Sequence, residues 1–397
     1  MSPTTSAPAG APVLTGAHTH GAGPNGPAAD KGEALRSFDV AAFPMPHGRE
    51  EEWRFTPLAR VKTLLDDAPS DAHLSWASTL PAGVTVTELD PAAARARTVA
   101  VPIDRPSALA VEHSGGAVLV SVPAELETDE PVVLRLHGEA AADVVWGHVL
   151  LEVGHHAHVT VVLEHTGSAQ YAANLSVKVG AGARLDLVQL QLWDDDAVHL
   201  AHVGSHLERD AKLRSITVTL GGETVRLVQN VTYDGPGGDA ELLGLYFADS
   251  GQHLEHRLFV DHGAPHCRSD VNYKGALQGE GAHSVWIGDV LIRAEAVGTD
   301  TYEINRNLLL TDGTRADSVP NLEIETGDVA GAGHASATGR FDDDQLFYLM
   351  SRGVDELEAR RLVVRGFFAD LADRITVPDV RTRLDEALEA ELQRSLA

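Results

Sequence analysis

HAHVTVVLEHTGSAQYAANLSVKVGAGARLDLVQLQLWDDDAVHLAHVGSHLERDAKLRSITVTL, residues 156–220, is the stretch whose reading decides the fold. It holds three copies of a small motif, His156-Ala157-His158-Val159, Gly182-Ala183-Arg184-Leu185 and Asp210-Ala211-Lys212-Leu213. Each is a turn residue, an alanine, a polar residue and an aliphatic one, and each leads into strand text such as VTVVLEH, LDLVQLQL or LRSITVTL. A fourth copy stands at Asp239-Ala240-Glu241-Leu242 and a looser one at Gly281-Ala282-His283-Ser284-Val285. The alanines recur at intervals of 26, 28, 29 and 42 residues. A near-constant period with two strands and two turns per copy is what a solenoid of parallel strands produces. Each coil buries its apolar row only by stacking on its neighbours. The pattern predicts a mainly β chain with a β-helix core rather than a sandwich, and the interval of 42 predicts a coil with an inserted loop near His262 to Asn272.

Strand text begins after Val84 with VTVTEL, RTVAVPI, AVLVSV and PVVLRL, and no helix pattern interrupts it for over two hundred residues. Residues 84–341 therefore read as the β-helix core. Residues 1–30 are rich in Ala, Gly, Pro, Ser and Thr without periodicity, and read as a disordered tail in which His18 and His20 are solvated. Residues 31–83 read as a helical region with a hinge at Pro44 and Pro46, its second helix lying in GREEEWRFTPLARVKTLL. Residues 342–397 read as a C-terminal helical domain. There DDDQLFYLMSRG forms a short helix, Asp355 and Glu358 open a longer one, and a charged helix follows Pro378. Leu357, Val364, Phe368, Leu371 and Ile375 mark one apolar stripe, with Val363 and Phe367 off it. A helix apolar on two faces buries one on the body and leaves the other for docking.

Composition narrows the chemistry. The chain has 397 residues and a net charge of −27, a field that repels phosphate backbones and anionic membranes. Its single cysteine, Cys267, excludes an internal disulfide framework and a cluster ligated by this chain's cysteines alone. No bilayer-length apolar run and no secretory leader are visible, which fits a reducing cytoplasm. GxxxxGK[ST], HExxH, CxxC and GxSxG are all missing.

Three constellations could carry chemistry. Asp194-Asp195-Asp196 is a candidate carboxylate set, although consecutive acids in a turn are ordinarily just solvated. His262-Gly263-Ala264-Pro265-His266-Cys267 brings two imidazoles near the only thiol, so Cys267 is a candidate metal ligand against the plainer reading of an exposed turn. Gly331-Ala332-Gly333-His334-Ala335-Ser336 leaves the His334 ring uncrowded by its own chain.

GREEEWRFTPL (48–58), NRNLLL (305–310), the block 321–340 and DDDQLFYLMSRGVDELEARRLVVRGFF (342–368) resemble the SufB/SufD family of the SUF iron–sulfur cluster assembly scaffold. The match runs from about Phe38 to the C-terminus, and GREEEWRFTPL resembles the SufD branch more than the SufB branch. The resemblance implies a right-handed parallel β-helix flanked by N-terminal and C-terminal helices, acting as a non-catalytic subunit. It implies a SufB-like partner through the β-helix and a SufC-like ATPase on the C-terminal helices, where Leu357, Val364 and Phe367 are the candidate contacts. His334 matches the histidine that faces the nascent iron–sulfur cluster at the shared interface; relatives often carry a cysteine two residues earlier, where this chain has Ala332. No cofactor is implied for the isolated chain, while a flavin at the level of the complex and self-pairing of the chain made alone stay open. A SufB-like sulfur acceptor would need a cysteine between Arg268 and Ala397, and none is there. The hypothesis from another class is a polysaccharide-active β-helix enzyme using Asp194 to Asp196, which would call for a leader peptide and sugar-stacking aromatics.

Overall fold

A computed structural model describes residue 32 and residues 34–341, 343–375 and 377–394. Its contacts divide the chain into Met1–Ala34 and Leu35–Ala397, and the second unit is the subject here. The tail expected over residues 1–30 lies outside the described residues.

The chain is mainly β with a parallel solenoid core. Strands β1 (Ser75–Thr79) and β2 (Thr85–Leu89) precede helices α1 (Pro91–Arg97) and α2 (Arg105–His113). Strand β3 (Ala117–Val122) leads to two long strands, β4 (Val132–Val153) and β5 (His158–Val179), each of which turns a corner and serves two faces. Shorter strands then alternate between the faces. They are β6 (Arg184–Trp193), β7 (Val198–Leu207), β8 (Lys212–Thr219), β9 (Thr224–Tyr233), β10 (Asp239–Ala248), β11 (His253–His262), β12 (Arg268–Leu277), β13 (His283–Ile292), β14 (Thr299–Leu309), β15 (Arg315–Ile324) and β16 (Val329–Arg340). The first face runs β5-β6-β8-β10-β12-β14-β16 and the second β5-β7-β9-β11-β13-β15. The N-terminal pairs β1 with β4 and β2 with β3 are antiparallel, and the other strand pairs among the described residues are parallel. Helices α3 (Asp343–Ser351), α4 (Glu356–Ala372) and α5 (Pro378–Arg394) follow.

The register explains the alanine motif and corrects part of its reading. At one corner the N–H groups of Arg184, Lys212, Asp239, Arg268 and Asp300 donate to the carbonyls of Ala157, Ala183, Ala211, Gly238 and Cys267. The stacked corner residues are thus Ala157, Ala183, Ala211, Gly238 and Cys267, small because they fill the tight inside of each bend. The Asp239-Ala240 copy sits two residues out of step, since Asp239 pairs with Lys212 and Ala240 with Leu213. Ala282 precedes β13 on the second face, so the interval of 42 spans one and a half coils with no inserted loop. His262 ends β11, and the turn after it is an ordinary corner.

Two further expectations change. GREEEWRFTPLARVKTLL forms turns and one 3₁₀ turn at Lys62–Leu64 rather than a second α-helix, and β1 falls inside the region read as helical. Its order comes from the second face: the Arg226 guanidinium covers the Trp53 ring at 4.1 Å, and the Thr56 hydroxyl donates to the buried Glu255 at 2.7 Å. Conversely, α1 and α2 interrupt the segment read as strands. Both carry legible starts: Asp90 caps α1 ahead of Pro91, and Asp104 and Ser107 make a capping box on α2. Residues Ala108, Leu109 and Ala110 of α2 are fully buried, so tertiary packing and not a long amphipathic pattern completes that helix.

Inside the coils Val159, Val161, Leu185, Leu187, Leu213, Leu242 and Val271 form one continuous core. Outside, Val188, Leu190, Ile216, Val218, Leu243 and Leu245 of the first face pack on Val364, Phe368, Leu371, Leu384 and Leu388 of α4 and α5. First-face strands are apolar on both sides for that reason.

The interior also holds histidines. His199 stacks on Tyr171 with ring centroids 4.9 Å apart, and His165 lies beside both. Burial pushes His165, His202 and His262 down to about 4 and His256 to about 3, so all are neutral in the fold. An unfolded histidine titrates near 6.5, so acid favours the unfolded chain by adding protons there. Stability is expected to be full above about pH 6.5 and to fall steadily toward about pH 4. Thermal midpoints between pH 7 and 5 check this, and a flat profile would contradict it.

Candidate functional site

The terminal coil differs from the rest because, among the described residues, no strand follows β16 on the first face or β15 on the second. Along β14, Thr301, Glu303, Asn305 and Asn307 point inward and are buried, alternating with the exposed Tyr302 and Arg306. Their partners on β16 are Ala332, His334, Ser336 and Thr338 in that order. His334 therefore occupies an interior-facing position of the last strand of the first face, and lack of a following coil leaves its side chain 42% exposed. Its Nδ1 lies 3.8 Å from Oε1 of Glu303, whose side chain is 1% exposed.

The interior becomes polar towards this end. The Tyr246 hydroxyl donates to Asn307 Oδ1 at 2.5 Å and accepts from Asn305 Nδ2 at 2.9 Å. Asn307 Nδ2 in turn donates to Asn305 Oδ1 at 2.8 Å and reaches the Thr338 hydroxyl at 3.3 Å. Satisfied side-chain networks of this kind rigidify a strand, and here they brace the strands on either side of the imidazole. Such a site supplies one ring nitrogen as a ligand or base. Among the described residues no group of three or more His, Cys, Asp or Glu is arranged to hold a metal ion.

The remaining candidates separate from it. Cys267 is a corner residue, 1% exposed, and burial pushes its thiol up. His262 stacks on Tyr233 with centroids 4.8 Å apart, and its Nε2 bonds the Ser269 hydroxyl at 2.9 Å. The expected His262–Cys267 metal group is thus core packing, and Cys267 is no ligand at the open end. Asp194, Asp195 and Asp196 are exposed on the turn between β6 and β7, where the Ser168 hydroxyl donates to Asp196 at 2.5 Å. They lie side by side instead of facing one another across a cleft, which a glycosidase pair requires.

On the C-terminal helices, Val364 is 1% exposed and anchors α4 to the first face. It is not available to a partner. Phe367 is partly buried below the Lys274 ammonium, 5.1 Å from its ring, and Leu357 lies in the first turn of α4 with its side chain outside the described ones. Phe347 at 73%, Tyr348 at 57% and Met350 of α3, with Leu362 of α4, are the exposed apolar side chains of this region. Sequence periodicity passed over them because α3 is short and apolar nearly all round.

The fold is a parallel β-solenoid whose last first-face strand carries the exposed imidazole of His334. The SUF system FeS cluster assembly SufBD core domain matches residues 135–367. An iron–sulfur cluster assembly SufBD family protein of Mycobacterium bovis is 52% identical over 381 residues, covering 93% of this chain and 94% of that protein. The iron–sulfur cluster assembly protein SufD of Escherichia coli is 28% identical over 230 residues, covering 57% of this chain and 54% of that protein. A second SufBD family protein of M. bovis is 26% identical over 243 residues, covering 61% of this chain and 28% of that protein. The chain belongs to the SufBD family of the SUF iron–sulfur cluster assembly system.

If Cys267 only fills a corner, Cys267→Ala restores the residue found at Ala183 and Ala211. The variant is expected to keep its thermal midpoint within the range of about 1.5 kcal/mol that size-conserving core changes allow. The native thiol is expected to resist alkylation until the chain unfolds; rapid labelling of the folded protein would contradict the assignment.

Proposed function

We propose that this chain is the SufD-type, non-catalytic half of a two-paralogue scaffold, presenting His334 to a nascent iron–sulfur cluster shared with a SufB-type partner. The observation that carries this reading is the position of His334, an interior-facing residue of the last strand left 42% exposed by the open coil. Strands β15 and β16 each end their face, so one edge of each has backbone groups without a strand partner. A paralogous solenoid with the same free edges can continue both faces. M. bovis, with two SufBD family proteins similar to this chain, is consistent with such a pair. The cluster is cargo, no cofactor is assigned to the isolated chain, and the working compartment is the cytoplasm.

In this reading α3 and α4 dock a SufC-type ATPase. Phe347, Tyr348, Met350 and Leu362 supply the apolar contact, while the buried stripe of α4 couples it to the solenoid. Nucleotide-driven movement of the ATPase would then reach the strands that flank His334, because β16 runs directly into α3.

Two experiments follow. In complexes co-purified with the paralogue and the ATPase, His334→Ala is expected to lower cluster yield, read as iron and sulfide per complex, by tenfold or more. Wild-type yield would overturn the ligand role. A Phe347→Asp/Tyr348→Asp double variant is expected to fold and pair normally yet lose the ATPase on co-purification; retained ATPase would contradict the docking face.

A further inference from the structure

We propose that Glu303 is a positioning residue for His334, its buried carboxylate holding the imidazole with Nδ1 inward and Nε2 directed to the open end of the solenoid. The inference rests on the reading of His334 as a cluster ligand given above.

Glu303 sits directly opposite His334 in the β14–β16 register, and both side chains belong to the interior-facing row. The carboxylate is 1% exposed and the imidazole 42%, so the carboxylate lies deeper and approaches the ring from inside, with Oε1 3.8 Å from Nδ1. That separation exceeds a hydrogen bond and lies within ion-pair range, and contacts of this kind tighten when the outer nitrogen takes a ligand. A carboxylate oxygen facing Nδ1 can accept from it, so it favours the tautomer with hydrogen on Nδ1 and leaves the Nε2 lone pair for a metal. It also balances the positive charge that ligation places on the ring.

A second observation points the same way. Gly288 lies in the interior row of β13, on the opposite face, and a Cβ there would come within 2.4 Å of Glu303 Oε2. Glycine weakens a strand interior, and such a position marks a close approach by another group. Here two groups converge, the Glu303 carboxylate and the Trp286 ring, whose edge would also lie 2.4 Å from that Cβ, so residue 288 gives up a side chain where both are packed.

The test uses the full-length chain labelled with ¹⁵N-histidine, reading the His334 tautomer by two-bond ¹H–¹⁵N correlation and assigning the signal by its loss in His334→Ala. Wild type is expected in the Nδ1–H form. Glu303→Leu is expected to move it to the Nε2–H form preferred by free imidazole, and to slow cluster assembly by the co-purified complex about tenfold or more. Glu303→Gln retains an acceptor oxygen and is expected to keep the tautomer and most of the rate, whereas a purely structural role would leave the tautomer unmoved in the folded Leu variant. Should Glu303→Leu fail to fold, Glu303→Met takes its place, since its unbranched side chain fills the same space without an acceptor oxygen and is expected to cause the same tautomer change. An unchanged tautomer in the folded Leu or Met variant overturns the positioning role, even where His334→Ala abolishes assembly. A changed tautomer with wild-type assembly in His334→Ala upholds the positioning role and sinks the ligand reading alone.

Discussion

Each coil of this chain is stabilised by the coil stacked on it, and among the described residues the last coil has none. Backbone ladders run in register from β5 to β15 and β16, so the hydrogen bonds and apolar contacts of a coil are completed by the next. At the terminal coil this arrangement stops, leaving free strand edges and an interior row facing outward. A purely apolar row there would be a patch prone to aggregation. The chain instead changes the content of that row to Thr301, Glu303, Asn305 and Asn307, with His334, Ser336 and Thr338 outermost. The end proposed to meet the cluster is therefore the place where the repeat runs out, built from the same inward positions that carry valine and leucine elsewhere.

The flanks of the solenoid are closed by the chain's own ends, which restricts where a partner can bind. On the second face Trp53 and Thr56 engage Arg226 and Glu255, and the Arg257 guanidinium donates to the Glu51 carbonyl at 3.0 Å. Glu255 is buried, yet its carboxyl stays well below the usual range because hydrogen bonding from His253 and the charges of Arg226 and Arg257 outweigh desolvation. On the first face α4 and α5 cover the outer apolar rows, and the Lys274 ammonium donates to the Phe367 carbonyl at 2.8 Å and to Asp370 at 2.6 Å. With those faces covered, the open end and the exposed side of α3 are the surfaces that suit partners in the proposed assembly.

Much of this architecture was legible in the residues, and the misreadings have physical causes. The alanine spacing revealed the solenoid because a tight corner admits only small side chains, but the same rule accepts Gly238 and Cys267, which a search for alanine passes over. Cys267 consequently looked like a ligand when it was a corner filler. A single spacing list also merged the two faces, since Ala282 stands at the opposite corner, in a column with Ala197, Glu223 and Gln252. Helix α2 was missed although its capping box is explicit, because RTVAVPI upstream reads as strand and only burial against the solenoid decides between them. Val364 was named for docking from an apolar stripe whose buried side depends on where the helix lies. His334 gained its weight from the family resemblance, whereas Glu303 had only the alternation Thr301-Glu303-Asn305-Asn307 to mark it as inward.

The account stands or falls on whether the imidazole at the open end touches the cluster. Pulsed electron paramagnetic resonance on the iron-loaded, paramagnetic complex of this chain with its paralogue and ATPase asks that directly. A coupling from one imidazole nitrogen is expected in the wild-type complex and is expected to vanish with His334→Ala at matched iron content. A coupling that survives the substitution, or a wild-type spectrum without one, would contradict the account.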